Sequence, residues 1–345
     1  MARMVGIVRD DRYLLHQPGF VHPESPERLK AIYAMVDREL GDSVATIQPE
    51  LATLEHLELF HTPSYIRRVL KTSERKFTYL APDTPVSAQS YLSASLAVGG
   101  CIKGLQAVLS GRYDIVFALV RPPGHHALPD TASGFCVFNN LGIAARYALK
   151  RQGLERILIV DWDVHHGNGI QKVFYSEKEV LYLSSHISGW FPGTGRVDEA
   201  GEGEGLGYTI NVELYRGIED ADLVALYRSI LEPIMKRYKP ELVMVAAGFD
   251  GHRMDSMGNT SLTEACFREL AHLLVQLGAT VDNPPILLAL EGGYEITALS
   301  QCVKEVLRAL VNGGYSEQPA PTMSGKAQQL FDIVRRTHSK FGVWT

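Results

Sequence analysis

Asp161-Trp162-Asp163-Val164-His165-His166-Gly167-Asn168-Gly169 follows directly on the apolar run Ile157-Leu158-Ile159-Val160. Four aliphatic residues closed by polar ones read as a buried parallel strand. Extended backbone alternates sides, so Asp161, Asp163 and His165 can point the same way at the carboxyl end, where α/β enzymes keep their chemistry. An unpaired buried carboxylate is too costly to keep, and a metal ion is the simplest partner for two carboxylates and an imidazole.

Working outward, short apolar or β-branched runs recur at residues 5–8, 115–120, 180–183, 208–212, 242–247 and 286–290. Longer amphipathic or apolar segments lie between them, at 27–40, 88–109, 141–151, 220–238, 263–277 and 296–311. This alternation predicts an α/β fold, a single domain with a mostly parallel central sheet and helices on both faces. The polar segments 121–127, 161–166, 184–186, 248–250 and 291–294 fall where strands should end, which predicts one crevice outside the carboxyl edge of the sheet. Residues 316–326 read as a connector, after which Leu330, Ile333, Val334 and Phe341 sit at helical spacing. A catalytic domain over 1–315 and a tail over 316–345 packing back on it are expected.

The 345 residues are 46% hydrophobic and 21% charged, ordinary for a soluble globular chain, and no run approaches the ~18 apolar residues of a membrane span. Residues 1–12 mix Arg3, Arg9, Asp10, Asp11 and Arg12 with a short apolar patch and lack the core of a signal peptide. Cys101, Cys136, Cys266 and Cys302 are far apart with no C-x-x-C spacing, so neither a disulfide framework nor a structural zinc site is indicated. A cytoplasmic protein is expected. A net charge of −5 carries no basic footprint and argues against nucleic-acid binding. The sequence leaves the oligomeric state open.

Asp163 and His165, taken with Asp250, would make a three-ligand set that leaves a coordination position open, the mark of a catalytic zinc site. His125 and His126 follow a Pro-Pro-Gly turn that can hold them rigidly, which suits proton transfer. Asp161 and Asn168 could orient those imidazoles differently, since a carboxylate raises imidazole basicity and a neutral amide does not. Tyr294, after two glycines, either donates to a developing oxyanion or is structural. Phe135, Phe138 and Phe191 either line an apolar channel or pack the core.

Taken together, R-P-P-G-H-H-A (121–127), G-F-C-V-F-N-N (134–140), D-W-D-V-H-H-G-N-G (161–169), F-P-G-T-G (191–195), A-G-F-D (247–250) and L-E-G-G-Y (290–294) resemble the histone deacetylase family, within the arginase/deacetylase fold. H-P-E-S-P-E-R (22–28) resembles its opening segment, and the likeness runs over residues 1–315. It implies a zinc-dependent deacylase with Asp163, His165 and Asp250 as ligands, His126 as general base and then acid, and Tyr294 polarising the carbonyl. His125 would be an electrostatic partner supported by Asp161. Gly134, Phe135 and Phe191 match tunnel positions, Asp83 matches a rim aspartate that holds a substrate backbone, and Met257 and Gly293 are taken as further substrate-binding positions. The resemblance also implies potassium or sodium, drawing on Asp161, Asp163, His165, Ser184 and Ser185 at an inner site and on backbone oxygens near Phe174 and Val180 at an outer one. Asn168 and Glu291 resemble the class II and bacterial amidohydrolase pattern, whereas residues 251–257 depart from the usual Gly-Asp-Pro.

The expected reaction is hydrolysis of an acylated amine, an acyl-lysine peptide or protein before an acylated small molecule. An acetylpolyamine amidohydrolase is the alternative, although Met257 offers no acidic gatekeeper and only 71–80 stand where that branch carries a long insertion. A non-catalytic acyl-lysine binding module would not need the complete ligand, histidine and tyrosine set. An arginase-like ureohydrolase needs aspartates where this chain has His-His.

Overall fold

β6 (Ile157–Asp161) lies inside an eight-stranded sheet whose order is β2 (Ala45–Ile47), β1 (Val5–Val8), β5 (Ile115–Ala118), β10 (Ile286–Leu290), β9 (Leu242–Ala247), β6, β7 (Val180–Ile187) and β8 (Thr209–Leu214). A computed structural model describes residues 3–19, 21–313 and 321–345. Every pairing in this sheet is parallel. All residues of β5, β6, β9 and β10 are buried, as continuous apolar runs must be when helices cover both faces. One layer is formed by α1 (Glu27–Glu39), α9 (Ile296–Val311), α8 (Glu264–Gly278) and α7 (Asp220–Tyr238), each packed on the next. The other runs through α4 (Ser90–Leu109), α5 (Asn140–Gln152) and α6 (Asn168–Phe174).

A smaller core joins α2 (Leu54–Leu57) and α3 (Pro63–Leu70) to an antiparallel hairpin, β3 (Phe77–Ala81) and β4 (Thr84–Ser87). Leu57, Phe60, Tyr65, Val69, Leu80, Val86 and Phe138 meet there. Phe138 is therefore core rather than channel wall.

The predicted strands and major helices are present, with differences that have local causes. β7 runs on to Ile187 because β8 continues beside it, pairing Ser184 with Asn211 and Ser185 with Val212. Ser184 and Ser185 thus lie within a strand, not after it. The sequence reading missed β2, an edge strand largely open to solvent, and the β3–β4 hairpin, whose strand residues alternate only weakly. α4 is long and apolar enough to cross a membrane, contrary to the expectation that no segment is, yet it is mostly buried against the sheet and α5.

Positions 316–320 of the expected connector lie outside the described residues. Positions 325–326 belong to α10 (Gly325–His338), which rests on β8 and α7. Its buried residues are Ala327, Val334 and His338, whereas Ile333 is 48% exposed and Phe341 lies beyond its end.

Candidate active site

Four adjacent central strands, β5, β10, β9 and β6, deliver the polar segments to one place, as a crevice at the carboxyl edge requires. β6 stops at Asp161, so alternation along an extended strand is not what aligns the next two side chains. Asp161 Oδ1 accepts the Asp163 N–H at 3.2 Å, and Asp163 Oδ1 accepts the His165 N–H at 2.9 Å. Two successive side-chain turns of this kind bring Asp163 and His165 to the same side.

His165 Nδ1 lies 3.0 Å from Asp250 Oδ2 and 3.2 Å from Asp163 Oδ1. One ligand-type atom from each of the three falls within 4.8 Å of the others, and all three residues are buried. Backbone N–H groups hold the carboxylates: Val164 donates to Asp250 Oδ1 at 3.1 Å and Gly292 to Asp163 Oδ2 at 2.9 Å. A Cβ on Gly248 would strike Asp163, and one on Gly292 would strike Asp250, so the cradle closes only around glycine. Burial opposes charge on His165, but Asp250 and Asp163 outweigh it and push its pKa up to about 10. Two buried carboxylates that favour positive charge so strongly fit a divalent cation.

The tandem histidines face opposite environments. His125 Nδ1–H donates to Asp161 Oδ2 at 3.1 Å, and Asp161 is braced by Tyr182 Oη–H at 2.8 Å. Burial would depress His125, yet Asp163 and Asp161 raise it to about 10. His126 Nδ1–H donates to the neutral Asn168 Oδ1 at 2.9 Å, which leaves Nε2 free. Burial, with the charges of His125 and His165, pushes its pKa well below the usual range. Asn168 is the first residue of α6.

A cavity of ≈ 250 Å³ opens onto this cluster, lined by Asp83, His126, Gly134, Phe135, His165, Trp190, Phe191, Met257 and Tyr294. Phe135 stands edge-on to Tyr294 at 5.6 Å, and Phe191 edge-on to His126 at 5.0 Å. A Cβ on Gly134, whose φ is +54°, would run into His126, so only glycine lets this wall approach. Asp83 Oδ2 accepts the Gly134 N–H at 3.0 Å and so holds the wall as well as edging the mouth.

Gly293 is not in the lining, contrary to expectation. Its carbonyl faces the protein interior and accepts Arg28 Nε–H at 2.6 Å, beneath Tyr294. Ser184 Oγ bonds His186 Nδ1 at 2.9 Å and Ser185 Oγ bonds Tyr227 Oη at 2.7 Å, while Phe174 and Val180 are buried and the Phe174 carbonyl accepts the Glu177 N–H at 3.1 Å.

The sequence reading missed several supports. Trp190 lines the cavity, and its Nε1–H donates to the Met257 carbonyl at 3.1 Å, tying two rims together; its place beside Phe191 was the available signal. The Glu24 carboxylate accepts from Arg121, at the head of the histidine segment, and from Arg28 Nη1, in α1, at 3.1 Å. Arg28 Nη2 in turn donates to the Glu291 carbonyl at 2.5 Å, and its guanidinium lies 5.0 Å from the Tyr294 ring. No local pattern marks that network, because its members come from three distant segments. Glu291 Oε2 accepts the Gly124 and His125 N–H groups at 2.6 and 3.1 Å, and burial pushes its carboxyl up to about 7. His125, Cys136 and Glu291 also cluster, but the Cys136 thiol donates to the Gly134 carbonyl and burial raises its pKa well above the usual range. A protonated thiol is no metal ligand.

This parallel sheet, with a carboxylate–imidazole cluster and paired histidines under a narrow cavity, defines the deacetylase class of α/β proteins. The chain matches the histone deacetylase domain over residues 22–310 and belongs to that family. It is 34% identical to histone deacetylase HDA1 of Saccharomyces cerevisiae across 93% of this chain and 49% of that protein. With a probable deacetylase of Archaeoglobus fulgidus it shares 37% identity across 85% of this chain and 82% of that one. The crystal structure of the HDA15 HD domain superposes with a TM-score of 0.91 at 34% identity, covering 99% of this chain and 95% of the other. The chain thus spans about half the length of the yeast relative and most of the archaeal one.

Proposed function

We propose that the chain is a zinc-dependent deacylase that hydrolyses the amide of an acyl-lysine side chain in a peptide or protein. The observation that carries this reading is the convergence of His126, His165 and Tyr294 on one narrow cavity. At ≈ 250 Å³ it is smaller than the ~300–1,000 Å³ of pockets for drug-sized ligands, which suits one extended side chain. Phe135 and Phe191 would flank the methylenes, and the amide would reach the buried polar end.

Asp163, His165 and Asp250 would hold the ion. When bound, zinc supplies a Lewis acid that polarises the acyl carbonyl and lowers the pKa of water towards ~7. His126, kept neutral by burial and by its charged neighbours, accepts a proton at the free Nε2 and returns it to the leaving amine. His125, with Asp161 against Nδ1, stays cationic and stabilises developing negative charge. Tyr294, whose burial holds its phenol well above the ordinary pKa, remains a hydrogen-bond donor to the oxyanion. A monovalent cation near Asp161 and Ser184 belongs to this proposal as a structural element. The four cysteines are free and buried, which supports a reducing compartment.

The test is turnover by zinc-loaded protein of acyl-lysine peptides from acetyl to long-chain, beside acetylputrescine and acetylspermidine, with a chelator control. Peptide turnover abolished by chelation is expected; turnover of polyamines alone would overturn the substrate assignment. Asp250→Ala should lose bound metal together with activity, read as metal stoichiometry, and retained stoichiometric zinc would remove Asp250 from the ligand set.

A further inference from the structure

A second hollow, of ≈ 500 Å³, lies between α3 and β3, with Arg67, Arg68, Lys71, Arg75, Thr78 and Tyr79 in its wall. Residues 64–80 carry five cations, Arg67, Arg68, Lys71, Arg75 and Lys76, against the single acid Glu74, in a chain of net charge −5. Arg67 and Arg68 occupy the last turn of α3, where the helix dipole favours positive charge. That reason does not extend to Lys71, Arg75 and Lys76.

All five are exposed, and none takes part in an ion pair among the described residues. Among the described residues Arg68 alone of the five has a side-chain hydrogen bond, from Nη2 to the Leu80 carbonyl at 2.6 Å. Five like charges gathered around the single acid Glu74 repel one another, so the arrangement costs stability that an anionic partner would restore.

The patch is joined to the catalytic mouth by covalent continuity. Phe77 and Tyr79 on β3 are 46% and 58% exposed and stand edge-on at 5.3 Å. The same hairpin turns at Asp83, which edges the catalytic cavity. Tyr79 and Asp83 are four residues apart, at most about 13 Å at ~3.3 Å per residue, and an extended peptide covers that span in about four residues.

We propose that this face docks the acidic flank of the polypeptide substrate, with Asp or Glu about four residues from the acylated lysine. The Phe77–Tyr79 pair covers the apolar stems between the two sites. The inference rests on the acyl-lysine reading of the catalytic cavity. Its consequence for specificity is that Lys/Arg-rich segments and acylated polyamines are disfavoured, because the same cations repel them.

The first measurement is fluorescence anisotropy of a labelled Glu/Asp-rich dodecapeptide without acyl-lysine, titrated with the full chain. Exposed ion pairs are individually weak, so reversing two cations should raise Kd about tenfold in Arg67→Glu/Arg75→Glu. Arg67→Gln/Arg75→Gln, which adds no repulsion, should raise it several-fold. The charge reversal Arg336→Glu on α10 should leave it unchanged. Equal binding by wild type and both double variants overturns the proposal, as does binding of an oligonucleotide of matched charge in place of the peptide.

The second measurement is kcat/KM on acyl-lysine peptides with Glu or Arg four residues away. A preference of about tenfold for Glu is expected in wild type and its loss in the double variants, while a short acetyl-lysine amide is hydrolysed equally by all. Failure of wild type on that short substrate would refute the catalytic reading, and the anisotropy would still decide the docking face.

Discussion

His125 and His126 are neighbours in the chain with opposite electrostatics, because one meets a carboxylate and the other an amide. Replacing that amide by a carboxylate should narrow the difference. In Asn168→Asp the new charge favours the protonated His126, so its pKa rises and the acid limb of kcat/KM moves to higher pH by about 1 unit. An unmoved limb would remove His126 as the base that limb reports. Tyr294→Phe takes away one oxyanion donor and should lower kcat by about 10²-fold or more with metal stoichiometry intact; unchanged turnover would end its assignment. The candidate residues were legible in the residue types and spacing of 121–127, 161–169 and 290–294, whereas their roles are those that the family resemblance implied. What spacing could not give was the turn chemistry after Asp161, where side-chain acceptance of backbone N–H groups, not strand alternation, aligns Asp163 and His165.

At the scale of elements, the site depends on loops held from beneath. Glu24, just before α1, engages Arg121 after β5 and Arg28 within α1, and Arg28 reaches the turn after β10. All three side chains are fully buried. Glu24→Ala would leave two buried guanidinium groups without their carboxylate, and unfolding in urea should register a loss of about 3–5 kcal/mol. A change below ~1 kcal/mol would mean that the network is dispensable. The partners of Glu24 hold its pKa well below the ordinary carboxylate value despite burial. Its contribution is therefore complete above about pH 4.5 and falls away as pH drops further. The sequence displayed H-P-E-S-P-E-R plainly, but not that its glutamate and arginine brace two catalytic turns, since that pairing is formed across 97 residues in one case and 263 in the other.

For the whole molecule, acid should be the weak side. His61 and His338 are held at about 4 and His186 at about 3, in each case because burial penalises the charged ring. Their unfolded value is ~6.5, so between pH 6.5 and 4 the unfolded chain binds more protons than the folded one. Stability then falls as pH falls, by up to about 1.4 kcal/mol per pH unit for each such histidine within its window. The raised carboxyls of Glu291 and Asp250 act the other way, but the three rings outnumber them, so urea midpoints measured at pH 7, 6, 5 and 4 should decline below 6.5; a flat profile would mean that these rings do not stay neutral in the fold.

The sequence by itself determined the alternation of strands and helices, the parallel sheet and the residues that crowd its carboxyl edge. Those features follow from period and local bond preferences, which any stretch of chain carries alone. Only the tertiary structure decided that Ser184 and Ser185 sit inside β7, that Gly293 turns inward to Arg28, that Trp190 joins Met257 at the rim, and that cations on α3 and beyond lie along the hairpin leading to Asp83. Each depends on burial and on partners brought from distant segments, and neither is a property of local sequence.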